Sequence, residues 1–363
     1  NTYSFLDYFI MKIFNKYLIK RSLVISSFIF IIFALLDMVF NIISELEGLT
    51  DNYTFFLILK YSITSMPHRS IEFLEGASLL GFMIALGISH QEGNLNVLRS
   101  NGKSPIKIIL ISSIGSMVLV LSVLILDEVI FKELHMNSKI EKVLHADQSK
   151  KTEANFQWIM QDNSFLSYTN IVKDTIFNPR LIRIDLDSMK VKYFKSAQSA
   201  KIKDGTIVFD ENALIESASS QDTISNLEKF SFPLVASIPF SDIDNLTITQ
   251  IISYRSYLMH WHSNLEDDIL FKAHLDKAYY KKLFYPFSVW AILIFFGAFI
   301  FGSLRDSSPG SRIVLAVVGG FLYRISQDLS VSIFISYNLP ILIGVVLPAC
   351  TLILISIYSY KKI

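Results

Sequence analysis

Residues 89–107, SHQEGNLNVLRSNGKSPIK, form a short polar connection between two long apolar runs. Leu95 and Leu98 sit three apart on one helix face, Glu92, Asn94 and Arg99 are polar, and Asn101-Gly102 supplies a C-terminal stop. Ser104-Pro105 then restarts a helix, because serine can cap free backbone N–H groups and proline at the first helical position forfeits no hydrogen bond. The chain therefore leaves an apolar environment, makes a turn or two of amphipathic helix on a polar shelf, and returns. An ordinary hairpin loop between two spans fits the same residues.

The composition places those apolar runs in a membrane. Of 363 residues, 52% are hydrophobic and only 18% charged, whereas a soluble domain averages about a quarter charged; the mean hydropathy is +0.44. A formal charge of +1 decides nothing, since in a membrane protein the placement of lysine and arginine matters. The lone Cys350 excludes an intramolecular disulfide. The first apolar run is a full span with no small-residue cleavage pattern after it, so no cleavable signal is expected. Met11, followed by KIFNKYLIKR, is a candidate natural start.

Moving outward from the shelf, Phe5 to Arg21 mixes aromatics with Lys12, Lys16, Lys20 and Arg21, the composition of an interfacial helix. Leu23 to Ile43, about twenty nearly all apolar residues, is long enough to cross a hydrocarbon core of roughly 30 Å. Ser65-Met66-Pro67 reads as a helix start, followed by span two at Ile71 to Ser89. Span three is Ile106 to Leu126, span four about Leu283 to Phe301, span five Ile313 to Ile335 and span six Ile341 to Tyr358. Between spans three and four the period changes. Ile182, Ile184 and Leu186 alternate with charged residues, Phe156, Trp158 and Met160 share a face, and Asp204-Gly205 is a type I′ hairpin signal. These alternations fit a sandwich core; a lipid-binding groove would show the same pattern. The expected fold is a membrane protein, mainly α with an inserted β domain. Its divisions are residues 1–129 (interfacial helix, spans one to three, shelf helix 91–102), 130–277 (β domain) and 278–363 (spans four to six).

Lysines and arginines near span ends lie before span one (Lys16, Lys20, Arg21), in the shelf (Arg99, Lys103, Lys107), between spans four and five (Arg305, Arg312) and at the tail (Lys361, Lys362). Six spans with both termini cytoplasmic put all four groups inside, making the β domain extracytoplasmic. Lys281 and Lys282 dissent on the far side. Four ionisable residues fall within spans: Asp37, Glu75, Arg324 and Asp328. At about 1.5 Å per residue, all four reach the outer half of the bilayer. Burying such groups in lipid costs several kcal/mol, so their coincidence points to a polar cavity open to that side. The local alternative is that Arg324 and Asp328, four apart on one face, neutralise each other while Asp37 reaches headgroup water.

No P-loop, H-E-x-x-H, paired Cys-x-x-Cys or G-x-S-x-G motif occurs, and His260-x-His262 lacks a nearby third ligand. Catalysis, a metal site or a cofactor held by this chain is not expected.

Taken in order, FNKYLIK before span one, LLGFMIALG followed by a Q-x-x-x-L-x-V-x-x-x-x-G shelf (Gln91, Leu95, Val97, Gly102), FIFGSLR (299–305) with PGSR (309–312), and LPILIGVVLPA (339–349) resemble the LptF/LptG permease family, from about residue 12 to 362. FGSLR continuing to GSR is nearer the LptG branch. The resemblance implies a non-catalytic inner-membrane subunit of a lipopolysaccharide exporter in a Gram-negative bacterium. It implies six transmembrane helices plus an extracytoplasmic, periplasmic β-jellyroll-like domain, paired with an LptF-like permease subunit on an LptB-like ATPase dimer that uses the ATP. Lipopolysaccharide would pass from the membrane to LptC and LptA-like periplasmic proteins; no nucleic acid is involved. Residues 91–102 would be the ATPase-coupling helix (Gln91, Glu92, Asn94, Leu95, Leu98, Arg99), and spans one and five would line a substrate cavity holding Asp37, Glu75, Arg324 and Asp328.

Two positions depart from the family pattern. Asn94 stands where a glutamate is usual, leaving either Glu92 or apolar insertion of Leu95 and Leu98 to meet the ATPase. Asp37 stands where a lysine suited to lipid A phosphates can occur, so phosphate binding there would need a bridging cation or compensation by Arg324. A membrane-anchored sensor or assembly protein with a ligand-binding β domain is the alternative, and a polytopic lipid enzyme a third; six spans with internal charges exceed what an anchor needs.

Overall fold

A computed structural model describes residues 2–50, 52–146, 157–161, 164–168, 170–172, 175–185, 190–203, 206–210, 214–217, 227–229, 243, 246–252, 255, 267–301 and 309–361. Six of its helices are long and apolar enough to cross a membrane, as the apolar runs require.

The first helix, α1 (Thr2–Leu46), is unbroken. The expected interfacial segment and span one are therefore a single helix, as a sequence with no glycine or proline through this stretch allows. Next, α2 (Phe55–Arg69) carries Pro67 inside its last turn, so 65–67 ends a helix where a start was expected. Proline there forfeits a single bond near a terminus, and the helix ends two residues later at Arg69. Ser70 separates it from α3 (Ile71–Gln91), α4 (Asn94–Ser100) is the shelf helix, and α5 (Pro105–Leu126) is span three. A π-helical segment, Asp127–Phe131, carries α5 directly into α6 (Lys132–Ala146). Helix thus persists to Ala146, past the boundary expected at 129. The polar stretch before span four is helical too, since α7 (Asp267–Phe301) runs through Lys281 and Lys282 into span four without a break. The bundle closes with α8 (Pro309–Ser336) and α9 (Ile341–Tyr360), joined through Asn338 at φ 51°.

Between α6 and α7, the described residues form ten strands: β1 (Gln157–Gln161), β2 (Ser164–Tyr168), β3 (Asn170–Val172), β4 (Thr175–Phe177), β5 (Arg180–Asp185), β6 (Lys190–Ser196), β7 (Ser199–Lys203), β8 (Thr206–Phe209), β9 (Leu214–Ser217) and β10 (Leu227–Lys229). They form two five-stranded sheets, ordered β1-β2-β5-β6-β9 and β10-β8-β7-β4-β3, antiparallel in every pairing. Lys203 pairs with Thr206 across residues 204 and 205, the register of a two-residue hairpin connection. Asp204 and Gly205 themselves lie outside the described residues. Leu166 and Leu181 from one sheet pack with Ile176, Ile207 and Phe209 from the other. The alternation thus builds a shared core. On β5 the deeply buried residue is Leu181, while Ile182 and Ile184 are half-buried, with a register shift between Arg183 and Ile184. Leu186, Phe156, His260, Trp261, His262 and Arg305 fall outside the described residues.

Small residues bring α1 close to its neighbours. A Cβ on Gly81 of α3 would collide with the Ser26 backbone, and one on Gly115 of α5 with the Ile19 carbonyl. Ser116 Oγ sits 2.8 Å from Ser22 Oγ and 2.9 Å from Ser26 Oγ. Close backbone approach with hydroxyl bonds across it is how helices associate where apolar burial gives no preference over lipid.

Candidate functional site: a charged cavity and a hinged shelf

At the end of the bundle that bears the β domain, the helices enclose a cavity of ≈ 520 Å³. Five acids (Asp37, Glu72, Glu75, Asp127, Glu128) and five bases (Arg69, Lys132, Lys281, Lys282, Arg324) line it, with His68 and His135. Three of the four intramembrane charges expected to meet there do so. Asp328, the fourth, is tied to the lining by an ion pair to Lys281 at 3.0 Å.

The cavity has three corners. In the first, the Arg69 guanidinium of α2 grips Asp37 of α1 through Nε and Nη2, each at 3.0 Å, and donates a third bond to Asn41 Oδ1 at 2.6 Å. Asn41, buried, passes a bond to Ser62. A planar guanidinium spanning both carboxylate oxygens gives direction as well as charge. Asp37 is therefore neutralised by Arg69 rather than by Arg324 or headgroup water.

In the second corner the π-helical segment turns Asp127 inward, 2.6 Å from His68 Nδ1 and 3.8 Å from Lys132 Nζ. Lys132 also pairs with Glu128, which accepts the Ile248 N–H. The Leu246 carbonyl accepts from Lys132 at 3.2 Å and from Lys282. The segment running from the β domain back to the bundle is thus clasped to the cavity rim.

The third corner holds the span-five charges. Arg324 donates to the Glu72 carbonyl oxygen at 2.8 Å, and Asp328 pairs with Lys281, so the two are not each other's partners. Glu75 is 9% exposed and its Oε1 has no hydrogen-bond partner among the described residues. An unmatched buried carboxylate oxygen beside cations is costly unless the cavity supplies a donor. Arg324 and Lys282 hydrogen-bond to main-chain carbonyl oxygens, with the Glu75 carboxylate near Arg324 and those of Asp127 and Glu128 near Lys282.

At the opposite end, α4 is flanked by Gly93 at φ 77° and Gly102 at φ 80°, conformations that glycine adopts without steric penalty. Leu95 and Leu98 are 0% and 1% exposed and belong to the bundle core. This corrects the expectation that they could insert into a partner: their shared face is turned toward α3 and α5 because the core is the nearer apolar environment. The outward face is Asn96, Val97, Ser100 and Asn101, with Val97 47% exposed. Arg99 lies over the Phe301 ring at 5.8 Å, and Gln91 is exposed. Glu92 is engaged by Arg21 of α1, Nη2 to Oε1 at 2.6 Å with Nη1 on Oε2, and accepts from Tyr17 at 3.0 Å and Asn94 at 2.9 Å. The Arg21 bonds, helped by the Tyr17 hydroxyl, hold the Glu92 carboxyl down at about 2.

The sequence pattern carries no signal for Arg69, His68 or Lys132 at this site. Lys281 and Lys282 carried a signal, as their dissent from the charge rule places them near the cavity.

Apolar helices that cross a membrane around a charged vestibule, with a β domain at its mouth, define a polytopic membrane protein of the permease kind. Residues 16–362 match the family model "Lipopolysaccharide export system permease LptF/LptG", and the chain belongs to that family. It is 23% identical over 313 residues to lipopolysaccharide export system permease protein LptG of Escherichia coli strain K12, covering 83% of this chain and 84% of the relative. The LptG protein of Haemophilus influenzae strain Rd is 23% identical over 287 residues, 78% of this chain and 80% of its own. The similarity lies on the LptG side of the family.

Proposed function

We propose that this chain is the permease subunit that draws lipopolysaccharide out of the outer leaflet of the inner membrane and passes it to a periplasmic β-jellyroll bridge, driven by a separate ATPase. The observation that carries the reading is the cavity: charges of both signs line it, Arg324 and Lys282 hydrogen-bond to carbonyl oxygens rather than to carboxylates among the described residues, and the β domain's return segment is clasped to its rim. An anionic headgroup entering there meets Arg324 and Lys282, which make no close ion pair among the described residues, and competes for them with the nearby Glu75, Asp127 and Glu128 carboxylates.

The least buried spans support a second permease subunit. Only 11% of the apolar window of α1 and 22% of that of α8 is buried, against 61% for α3. α8 also exposes Arg324 and Asp328 beside Phe321 and Leu329. Charges at membrane depth need a protein or water-filled surrounding, which an LptF-like partner facing α1 and α8 would provide. In this reading the termini and shelf are cytoplasmic and the β domain is periplasmic, next to LptC and LptA-like proteins. The ATP is bound and hydrolysed by an LptB-like dimer, this chain holding no cofactor.

The test is ATP-dependent release of lipopolysaccharide from proteoliposomes holding the assembled complex to a soluble β-jellyroll acceptor. Asp37→Ala and Glu75→Ala are each expected to lower release; unchanged release in both removes the cavity from the pathway.

A further inference from the structure

The two glycines that bracket α4 are points at which a seven-residue helix pushed from outside would tilt by itself. Each is bridged by a side-chain tie to the same helix, α1. Across Gly93, Glu92 holds Tyr17 and Arg21 of α1 and also Asn94, the first residue of α4, while Arg21 Nη1 reaches Ser89 Oγ at 3.3 Å. Across Gly102, Lys103 donates to Asn15 of α1. The Arg21 side chain is 17% exposed and its bond to Glu92 is two-pronged, the geometry in which an arginine fixes orientation as well as charge.

From Arg21 the helix runs unbroken to Asp37, a rise of about 24 Å at 1.5 Å per residue. It is seated without slack on α3 at Gly81 and on α5 at Gly115. At its far end Asp37 is locked to Arg69 on the cavity wall. Rigid elements joined by such ties carry displacement between distant sites.

Building on the permease reading, we propose that Arg21 is a positioning residue for energy coupling: through Glu92 it binds the shelf and α1 into one body, so that movement imposed on α4 arrives at the Asp37–Arg69 corner instead of being absorbed at Gly93. Arg21 touches neither nucleotide nor lipid in this role. Its effect is on the yield of transport per ATP.

Two measurements test this, the first on the assembled complex. With Arg21→Gln, lipopolysaccharide released per ATP hydrolysed is expected to fall about fivefold, the usual scale of a coupling between sites. The exchange of Arg21→Glu with Glu92→Arg is expected to recover most of the loss. An unchanged ratio in Arg21→Gln overturns the proposal, as does a reduced ratio that the exchange fails to restore. Independently, on the detergent-solubilised full chain without the ATPase, spin labels at Ile13 and Val97, both exposed, with Cys350→Ser, should give a narrow distance distribution that broadens in Arg21→Gln; an equally narrow one refutes the clamp. A wild-type complex that hydrolyses ATP without releasing lipid refutes the permease reading instead, and the spin-label comparison still decides the clamp.

Discussion

The inward face of the shelf helix makes a sharp prediction, because Leu95→Asp and Val97→Asp place the same charge two residues apart with opposite consequences. Leu95 is 0% exposed; emptying a packed leucine site costs about 2–5 kcal/mol, and a carboxylate there adds a desolvation penalty of several more or takes up a proton. The sum approaches the roughly 5–15 kcal/mol that holds a typical domain folded. Val97 is 47% exposed, so its replacement costs the chain about 0.5 kcal/mol or less while setting a charge on the face left for a partner. The assay is thermal unfolding of the detergent-solubilised chain, followed by size exclusion, alongside retention of the ATPase by the tagged chain. Leu95→Asp is expected to lose the folded peak; Val97→Asp should keep it and lose the ATPase. A folded Leu95→Asp chain that loses the ATPase, with Val97→Asp retaining it, would refute this assignment of faces.

Other outcomes follow from the same geometry. In a double-mutant cycle on Asp37→Asn and Arg69→Met, each single change should cost about 1–2 kcal/mol, reduced from a buried-pair value because the Arg69 side chain is 37% exposed, and the double variant should cost clearly less than the sum; additivity within about 0.5 kcal/mol in a denaturation series would show no pairing. Gly115→Ala should destabilise the bundle by about 1–3 kcal/mol, since its Cβ meets the Ile19 carbonyl, whereas Gly76→Ala, with nothing near its added Cβ, should be neutral or stabilising by up to about 1 kcal/mol; equal melting shifts would contradict the close approach of α1. The Glu92 carboxyl is depressed from 4.5 to about 2, so the tie it makes is fully present above its ordinary range and is lost only as pH falls through the depressed value. The Ile13–Val97 distance should accordingly be the same at pH 8 and pH 5; broadening by pH 5 would show that Arg21 does not hold the carboxylate.

Much of the architecture was legible because it rests on local pattern. Twenty-residue apolar runs have few alternatives to a membrane span, and Asp204-Gly205 between alternating stretches specified the register that Lys203 and Thr206 adopt. What stayed hidden depends on which helix lies beside which. Three-residue spacing puts Leu95 and Leu98 on one face but cannot say whether that face meets water or core. Asp37 looked unpaired because Arg69 is 32 residues away on another helix, and Asp328 looked paired to Arg324 because four residues separate them, whereas tertiary packing gave it Lys281. Lys281 and Lys282 fell on the wrong side of a charge count made with span four starting at 283, because α7 begins at Asp267. The π-helical segment that turns Asp127 inward has no sequence signature. Charged sites in a helical bundle are tertiary objects, while the spans that carry them are local ones.

The central claim, that the charged cavity receives the lipid, is tested most directly by site-specific photo-crosslinking in membranes of the intact assembly. A photoreactive residue at Leu124 or Ile248, both lining the cavity, should capture lipopolysaccharide, and the adduct should diminish when ATP drives transport. The same residue at Leu354, 67% exposed on the outer surface of α9, should capture bulk phospholipid and little lipopolysaccharide. Equal lipopolysaccharide capture at Leu354 and Leu124, or none at Leu124 and Ile248, would contradict the account.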